Sequence, residues 1–363
     1  MKKALLILAL AIVAALALTA CNNAPSAPNA PAATNEPAAT VNHPPLNVAN
    51  WGLFIYEPVL QMFEAEYGIR VIYSTYSTNE ELHVLITQGA EFDVIVPSDY
   101  MVERLINEGR LAPLNWENIP NASYIFPRFQ GLAFDPDNRY SVPYKWGTFG
   151  IVYNTNKVDQ VVDSWQILWD EQFAGEIFMY NSSRCTMGAV QRMLGFSMNS
   201  TCPDELNQVR DALMQQSPLV RAFLTDQIID NMIGEEGALG TVYNGCARWI
   251  IYYNPDHNFV VPVEGSQLWF NSMVIPANTR NQANAEKFIN FMNRPDIAYL
   301  NTRYTRYSTA NSGAFERVPD YWQNCPIYWP DEDILDRGEV FVDLGDFRGA
   351  FELAWTQVLL ASN

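Results

Sequence analysis

The groups able to make or break bonds are few and poorly placed for it. Of three histidines, His43 lies in a Pro-rich stretch and His257 follows the turn-like Asn254-Pro255-Asp256. His83 falls inside an expected helix, so Ser or Cys chemistry lacks a good general base. The carboxylate pairs Glu80-Glu81 and Glu235-Glu236 are adjacent and need not converge. No Gly-rich phosphate loop, H-E-x-x-H or G-x-S-x-G occurs. No cysteine pair has C-x-x-C spacing, which argues against structural zinc. Tyr252-Tyr253 is a pair a ferric site would use, but it lacks His and Glu partners and reads as packing on an amphipathic helix. The chain is therefore expected to be a binder rather than an enzyme, with no catalytic residue, metal or cofactor.

Binding groups are better placed. The run Leu46 to Asn50 leads into Trp51 and Gly52-Leu53-Phe54. Ile69 to Tyr73 leads into Ser74-Thr75-Tyr76, and Phe92 to Val96 leads into Ser98-Asp99-Tyr100. A single aromatic at a strand end caps a core; three in succession on one edge point to a site.

The elements that position them follow a strand–helix rhythm. Val59, Leu60, Met62, Phe63 and Tyr67 recur at helical spacing over Glu57 to Tyr67, with Gly68 as the stop. Ser77-x-x-Glu80 or Thr78-x-x-Glu81 offers a capping box for a helix through Gln88, and Ser98 can cap a helix to about Glu108. This β-α-β-α-β order begins an open, mostly parallel sheet, whose ligands bind beyond the carboxyl ends of the strands. The pattern returns at Glu176 to Tyr180 with Asn181-Ser182-Ser183-Arg184 and a helix through Leu194. It returns again at Ala238 to Val242, ending at Tyr243-Asn244-Gly245. Leu268 to Ile275 carries Trp269 and Asn271, and Ala283 to Met292 is a helix. Two α/β lobes with an aromatic cleft between them are the simplest picture.

Composition bounds the partners. The 363 residues suggest two domains, and 48% apolar with 17% charged residues excludes a largely disordered chain. A net charge of −18 has the wrong sign for a nucleic-acid binder. Residues 1–20 read as a signal peptide: Lys2 and Lys3 precede an apolar run, Ala4 to Leu18, too short to span a bilayer. The run ends Leu18-Thr19-Ala20-Cys21, similar to a bacterial lipobox in which Cys21 is acylated; the alternative is an ordinary cleaved signal with an incidental cysteine. Residues 21–45, rich in Ala and Pro, then form a tether. An exported protein held at the outer face of the cytoplasmic membrane, or in the periplasm, by a lipid anchor alone is expected. Cys185, Cys202, Cys246 and Cys325 remain, either disulfide-bonded in one of three pairings or free.

A family resemblance covers the chain from Leu46 onward. Asn50-Trp51, Val71-Ile72-Tyr73-Ser74-Thr75-Tyr76 and Phe92-Asp93-Val94-Ile95-Val96-Pro97-Ser98-Asp99-Tyr100 resemble the polyamine (spermidine/putrescine) substrate-binding proteins of bacterial ABC importers. So do Tyr140-Ser141-Val142-Pro143-Tyr144-Lys145-Trp146-Gly147-Thr148, Ser164-Trp165-x-x-Leu168-Trp169 and Leu268-Trp269-x-x-x-Met273-Val274-Ile275-Pro276. The resemblance implies a two-lobed periplasmic-binding-protein fold of type II, with a hinge and an inter-lobe cleft. Lobe one would comprise residues 46–145 plus 271–317, and lobe two residues 146–270 plus 318–363. It implies delivery of a polyamine to an ABC permease, the ammonium groups being gripped by aromatic rings and paired with acids.

Carried over position by position, the box falls on Trp51, Phe54, Ser98, Tyr100, Tyr243, Trp269 and Tyr307. The acids do not carry over. Their positions hold Asn181 or Ser182, Cys185 and Asn271. Three ligands remain open: a polyamine whose charge is met by Asp99 or by an acid the motifs do not show, a quaternary amine held by rings with fewer carboxylates, or a neutral solute hydrogen-bonded by Asn181, Ser182 and Asn271. Arg184 matches a family arginine and is expected in a salt bridge at a helix entry, or facing a ligand carboxylate. An exported enzyme on the same scaffold is the competing class; it would need His83 or His257 beside a cleft carboxylate.

Overall fold

The computed structural model describes residues 43–362. The expected signal peptide, Cys21 and the expected tether through Asn42 lie outside them.

Ten strands form one sheet: β1 (Leu46–Trp51), β2 (Val71–Tyr76), β3 (Val94–Ile95), β4 (Ser141–Asn154), β5 (Ile177–Tyr180), β6 (Val220–Leu224), β7 (Leu239–Tyr243), β8 (His257–Val260), β9 (Leu268–Val274) and β10 (Ser308–Thr309). Their order is β2-β1-β3-β9-β4-β7-β5-β6, with β8 and β10 also paired to β4. β1 pairs in parallel with β2 and β3, and β5 in parallel with β6 and β7. The two parallel sets are joined through antiparallel β9 and β4.

β4 is shared by the two halves. Ser141 to Thr148 pairs with β9, whereas Phe149 to Tyr153 pairs with β7 and Ile151 to Asn154 with β8. Each half packs its own core. Leu46, Phe63, Met101, Phe288 and Ile297 belong to the first; Phe149, Trp165, Ile177 and Leu239 belong to the second. Thirteen of the fourteen β4 residues are buried, so the strand shows none of the alternation that marks a half-exposed one. Sequence periodicity accordingly did not single it out.

Local chemistry explains the helix ends. The helix Pro58–Tyr67 opens on proline and stops at Gly68, whose φ of 66° suits the left-handed region. Thr78 Oγ1 accepts from the Glu81 N–H at 3.0 Å, and the Ser77 N–H donates to Glu81 Oε2 at 2.7 Å. Of the two possible capping boxes, the one based on Thr78 forms.

Several expectations shift. β2 runs through Ser74-Thr75-Tyr76, which therefore lie within the strand opposite Ala49-Asn50-Trp51. β3 has only two residues. Ser98 occupies the N-cap position of the helix Asp99–Asn107 without a side-chain cap bond. After β5 the chain enters a π-helical turn, Ser183–Met187, before the short helix Gly188–Met193. The strand β6 and the helices Pro203–Gln216 and Arg348–Ala361 also complete the second half. Tyr252 and Tyr253 are surface residues rather than interior packing: Arg306 stacks on Tyr252 at 3.8 Å, and Tyr253 on Trp249 at 5.7 Å between centroids. The cysteines Cys185, Cys202, Cys246 and Cys325 are all free thiols.

Candidate functional site

The carboxyl ends of both parallel strand sets open on one cavity of about 150 Å³, where an open α/β sheet binds its ligands. Seven aromatic side chains line it: Trp51, Phe54, Tyr76, Tyr180, Tyr243, Trp269 and Tyr307. Ser98, Asn271, Thr225 and Asp226 add polar groups. A second chamber of about 250 Å³ shares Trp51, Ser77, Ser98, Tyr180, Thr225 and Tyr243 with the first. Ser182, Cys185 and Tyr100 line this second chamber, together with Glu80, Glu352 and Arg184. The two chambers are compartments of one cleft.

Each ring is held by a specific contact. The carbonyl of Val96 accepts from Trp51 Nε1 at 2.8 Å, from the Tyr76 hydroxyl at 2.7 Å and, weakly, from Asn271 Nδ2 at 3.5 Å. The turn after β3 thus fastens three site side chains from three strands. Phe54 lies 4.9 Å from Tyr307 and 6.2 Å from Trp269 between centroids. Trp269 meets Tyr307 and Tyr243 nearly at right angles, at 5.3 and 5.7 Å. Such edge-to-face packing leaves ring faces free for a ligand.

Two buried thiols tie down phenols. Cys185 Sγ lies 2.9 Å from the Tyr243 hydroxyl, and Cys246 Sγ lies 3.2 Å from that of Tyr307. Burial pushes Cys185 up to about 11 and Cys246 up to about 12, so both remain thiols. Burial likewise holds the Tyr180, Tyr243 and Tyr307 hydroxyls well above the ordinary phenol range. The aromatic cavity is uncharged at neutral pH except at Asp226. Cys185 offers a ligand no negative charge.

Asp99 does not line either chamber. It is fully buried, with Oδ1 accepting from the Tyr100 N–H at 2.8 Å and Oδ2 from the Phe270 N–H at 3.1 Å. Its carboxylate fastens a helix start to β9 instead of facing a solute. Among the described residues Arg184 forms no salt bridge: its guanidinium stacks on Phe341 at 4.3 Å and donates to Asn199 Oδ1 at 2.9 Å. A burial of this kind is compensated by ring faces and one amide. His83 pairs with Glu108 at 2.9 Å, and His257 starts β8 with Nδ1 3.3 Å from the Asn254 carbonyl. Neither histidine lines either chamber.

Comparison with known proteins bears on this geometry. The profile of the bacterial extracellular solute-binding protein family matches residues 59–328. The chain belongs to that family. The solute-binding protein is 32% identical over 306 residues to the spermidine/putrescine-binding periplasmic protein of Salmonella typhimurium, covering 84% of this chain and 88% of that one. It also resembles the solved structure of the spermidine/putrescine ABC transporter substrate-binding protein PotD from Streptococcus pneumoniae, with a TM-score of 0.77 and 34% identity over 88% of this chain and 99% of that one. A Listeria monocytogenes structure assigned to a spermidine/putrescine ABC transporter gives a TM-score of 0.84 at 37% identity, covering 87% of this chain and 98% of that one. The architecture is the two-lobed α/β fold of periplasmic binding proteins.

In this solute-binding protein, sequence reasoning overlooked Tyr180, Thr225 and Asp226 as lining residues. The signal was present: Val220 to Leu224 is a β-rich run that ends on Thr225-Asp226, the same strand-then-polar-turn pattern that marked the other strand ends. It passed unnoticed because an exposed Arg221 interrupts the apolar run and no aromatic follows it.

Proposed function

We propose that this protein binds a linear polyamine of the spermidine or putrescine type and delivers it to an ABC permease. One observation carries the reading: both halves contribute rings to a single small cavity, Trp51 and Phe54 from the first and Tyr180 and Tyr243 from the second. Ring faces attract a protonated amine by about 0.5–2 kcal/mol each, and the methylene chain gains apolar contact between them. The names of the relatives support the same ligand class. The ligand would contact Trp51, Phe54, Ser98, Tyr243, Trp269, Asn271 and Tyr307, with Tyr100, Ser182 and Cys185 bordering the adjoining chamber.

The transport role needs a conformational difference that a permease can read. The shared strands β4 and β9 support a hinge between lobes of roughly residues 46–145 plus 271–317 and 146–270 plus 318–363. Acylation at Cys21, with residues 21–45 as tether, would keep the body close to the membrane. The role involves no chemistry on the solute.

A quaternary amine is the second reading, favoured by amide or thiol groups at Asn271 and Cys185, where the family resemblance leads one to expect acids. Isothermal titration with putrescine, spermidine, choline and betaine separates the two. Heat with the first two and none with the last two is expected; silence with putrescine and spermidine overturns the polyamine assignment.

A further inference from the structure

The cavity contains one carboxylate that nothing in the protein uses. Asp226 stands at the N-cap position of the helix Gln227–Ile233, yet its side chain makes no capping bond. Among the described residues it forms no salt bridge and no side-chain hydrogen bond. The titratable groups that sense it are Tyr180 on β5, Cys246 on the helix Asn244–Tyr253, and Tyr307 just before β10. All three are neutral at neutral pH, and among the described residues no cation pairs with it. Its carboxyl is open to water through the cleft, but the protein around it is dense enough that burial raises its pKa. A carboxylate partly desolvated beside neutral phenols and a thiol, without a counter-charge, is destabilised until a cation arrives.

The positions where the resemblance leads one to expect anions tell the complementary story. Asn271 lines the same cavity, and Asn181, Ser182 and Cys185 line the adjoining chamber; none carries negative charge. We propose that Asp226 is the ammonium anchor of this cleft, holding one protonated amine of the ligand against the faces of Tyr180 and Tyr307. This rests on the polyamine reading and deepens it: charge recognition has moved from the turn after β5 and from β9 to the turn after β6. The anchor sits in the half opposite Trp51 and Phe54, so one ammonium bridges both halves and its binding favours their approach.

The test is titration of the purified full-length protein with putrescine and spermidine, wild type beside Asp226→Asn. Asp230→Asn, on the same helix but outside the cavity lining, serves as control. The expected result is a loss of about tenfold to hundredfold in affinity for both ligands in Asp226→Asn, the scale of hydrogen bonds to a charged group. Asp230→Asn should bind as the wild type does. Wild-type affinity should also fall as pH drops from 7 towards 4, because the ligand stays protonated while the anchor is neutralised. That measurement needs no variant, and a flat profile decides against the anchor even if Asp226→Asn fails to fold. Since Glu80 and Glu352 border the adjoining chamber, a fall counts for the anchor only where Asp226→Asn flattens it. Undiminished binding by a folded Asp226→Asn, or a flat wild-type pH profile, overturns the anchor while leaving the polyamine reading intact. Absence of binding by the wild type overturns both.

Discussion

The ring of Tyr307 lies so close to the Cα of Gly245 that a Cβ there would sit 2.2 Å from a ring carbon. Gly245 is in the first turn of the helix that follows Tyr243 and β7, so the absence of a side chain lets the Tyr307 ring pack directly on that turn. Gly245→Ala must push the ring out of place. We expect a folded protein destabilised by about 1–3 kcal/mol, the usual cost of overpacking, with polyamine affinity reduced more than tenfold. Thermal unfolding and calorimetric titration of the same sample check both halves of this expectation. Wild-type affinity in the variant would show that the Tyr307 ring is not a binding wall.

Trp269 touches Phe54, Tyr243 and Tyr307. Trp269→Leu keeps apolar bulk but removes the ring face. Affinity for putrescine should fall about 3- to 30-fold, the equivalent of one cation–π contact. Calorimetry measures it directly; a loss below twofold would assign the cation to other rings.

Asp99 links binding-site architecture to pH. Burial pushes its carboxyl up to about 7 from an ordinary 3.8, against the opposing pull of the Tyr100 and Phe270 N–H groups and of Arg184. The folded state therefore holds a proton that the unfolded chain releases between those two values. Across that window stability falls as pH rises. Asp99→Asn should remove this part of the slope, at a cost of about 1 kcal/mol for the lost acceptor. Urea unfolding of both proteins at pH 4.5, 6 and 7.5 gives the comparison; parallel pH profiles would refute it.

Lys145 is fully buried in β4 and has no carboxylate partner among the described residues. Its ammonium group donates to Thr305 Oγ1 at 2.7 Å and lies 5.2 Å from the Tyr144 ring centre. Burial lowers its pKa well below the usual lysine range, so the folded state binds fewer protons than the unfolded one. Stability then rises with pH between the depressed value and 10.5. Lys145→Met orphans nothing, since Thr305 Oγ1 still donates to the Asn301 carbonyl. The variant should gain about 1–3 kcal/mol at neutral pH and lose that alkaline rise. Chemical denaturation at pH 7 and pH 9.5 checks both.

The legible parts of the fold were those governed by local rules. Gly68 ends a helix because only a left-handed residue can stop it there, and Thr78 with Glu81 announces the next helix start. Trp51 stood out as the first of three aromatics in succession at strand ends, and Trp269 through the motif it shares with the family it resembles. β4 stayed silent, since a strand covered on both faces has no period to detect. Ser98 looked like a cap, but its own backbone N–H is satisfied by Asn79 Oδ1 and its side chain is left beside the cavity.

The chain's own order of residues determined the alternation of strands and helices, the aromatic character of the strand ends and the absence of a carboxylate at Asn271 and Cys185. All of these depend on neighbours in sequence or on side-chain type. Which carboxylate meets the cavity was decided only in three dimensions. Asp99 and Asp226 are equally plausible as letters, each following a strand; the first is consumed by two backbone N–H groups from separate elements, and the second is left without a partner. Hydrogen bonds between residues 171 positions apart cannot be read from local pattern, and they are what separates a structural acid from one free to bind.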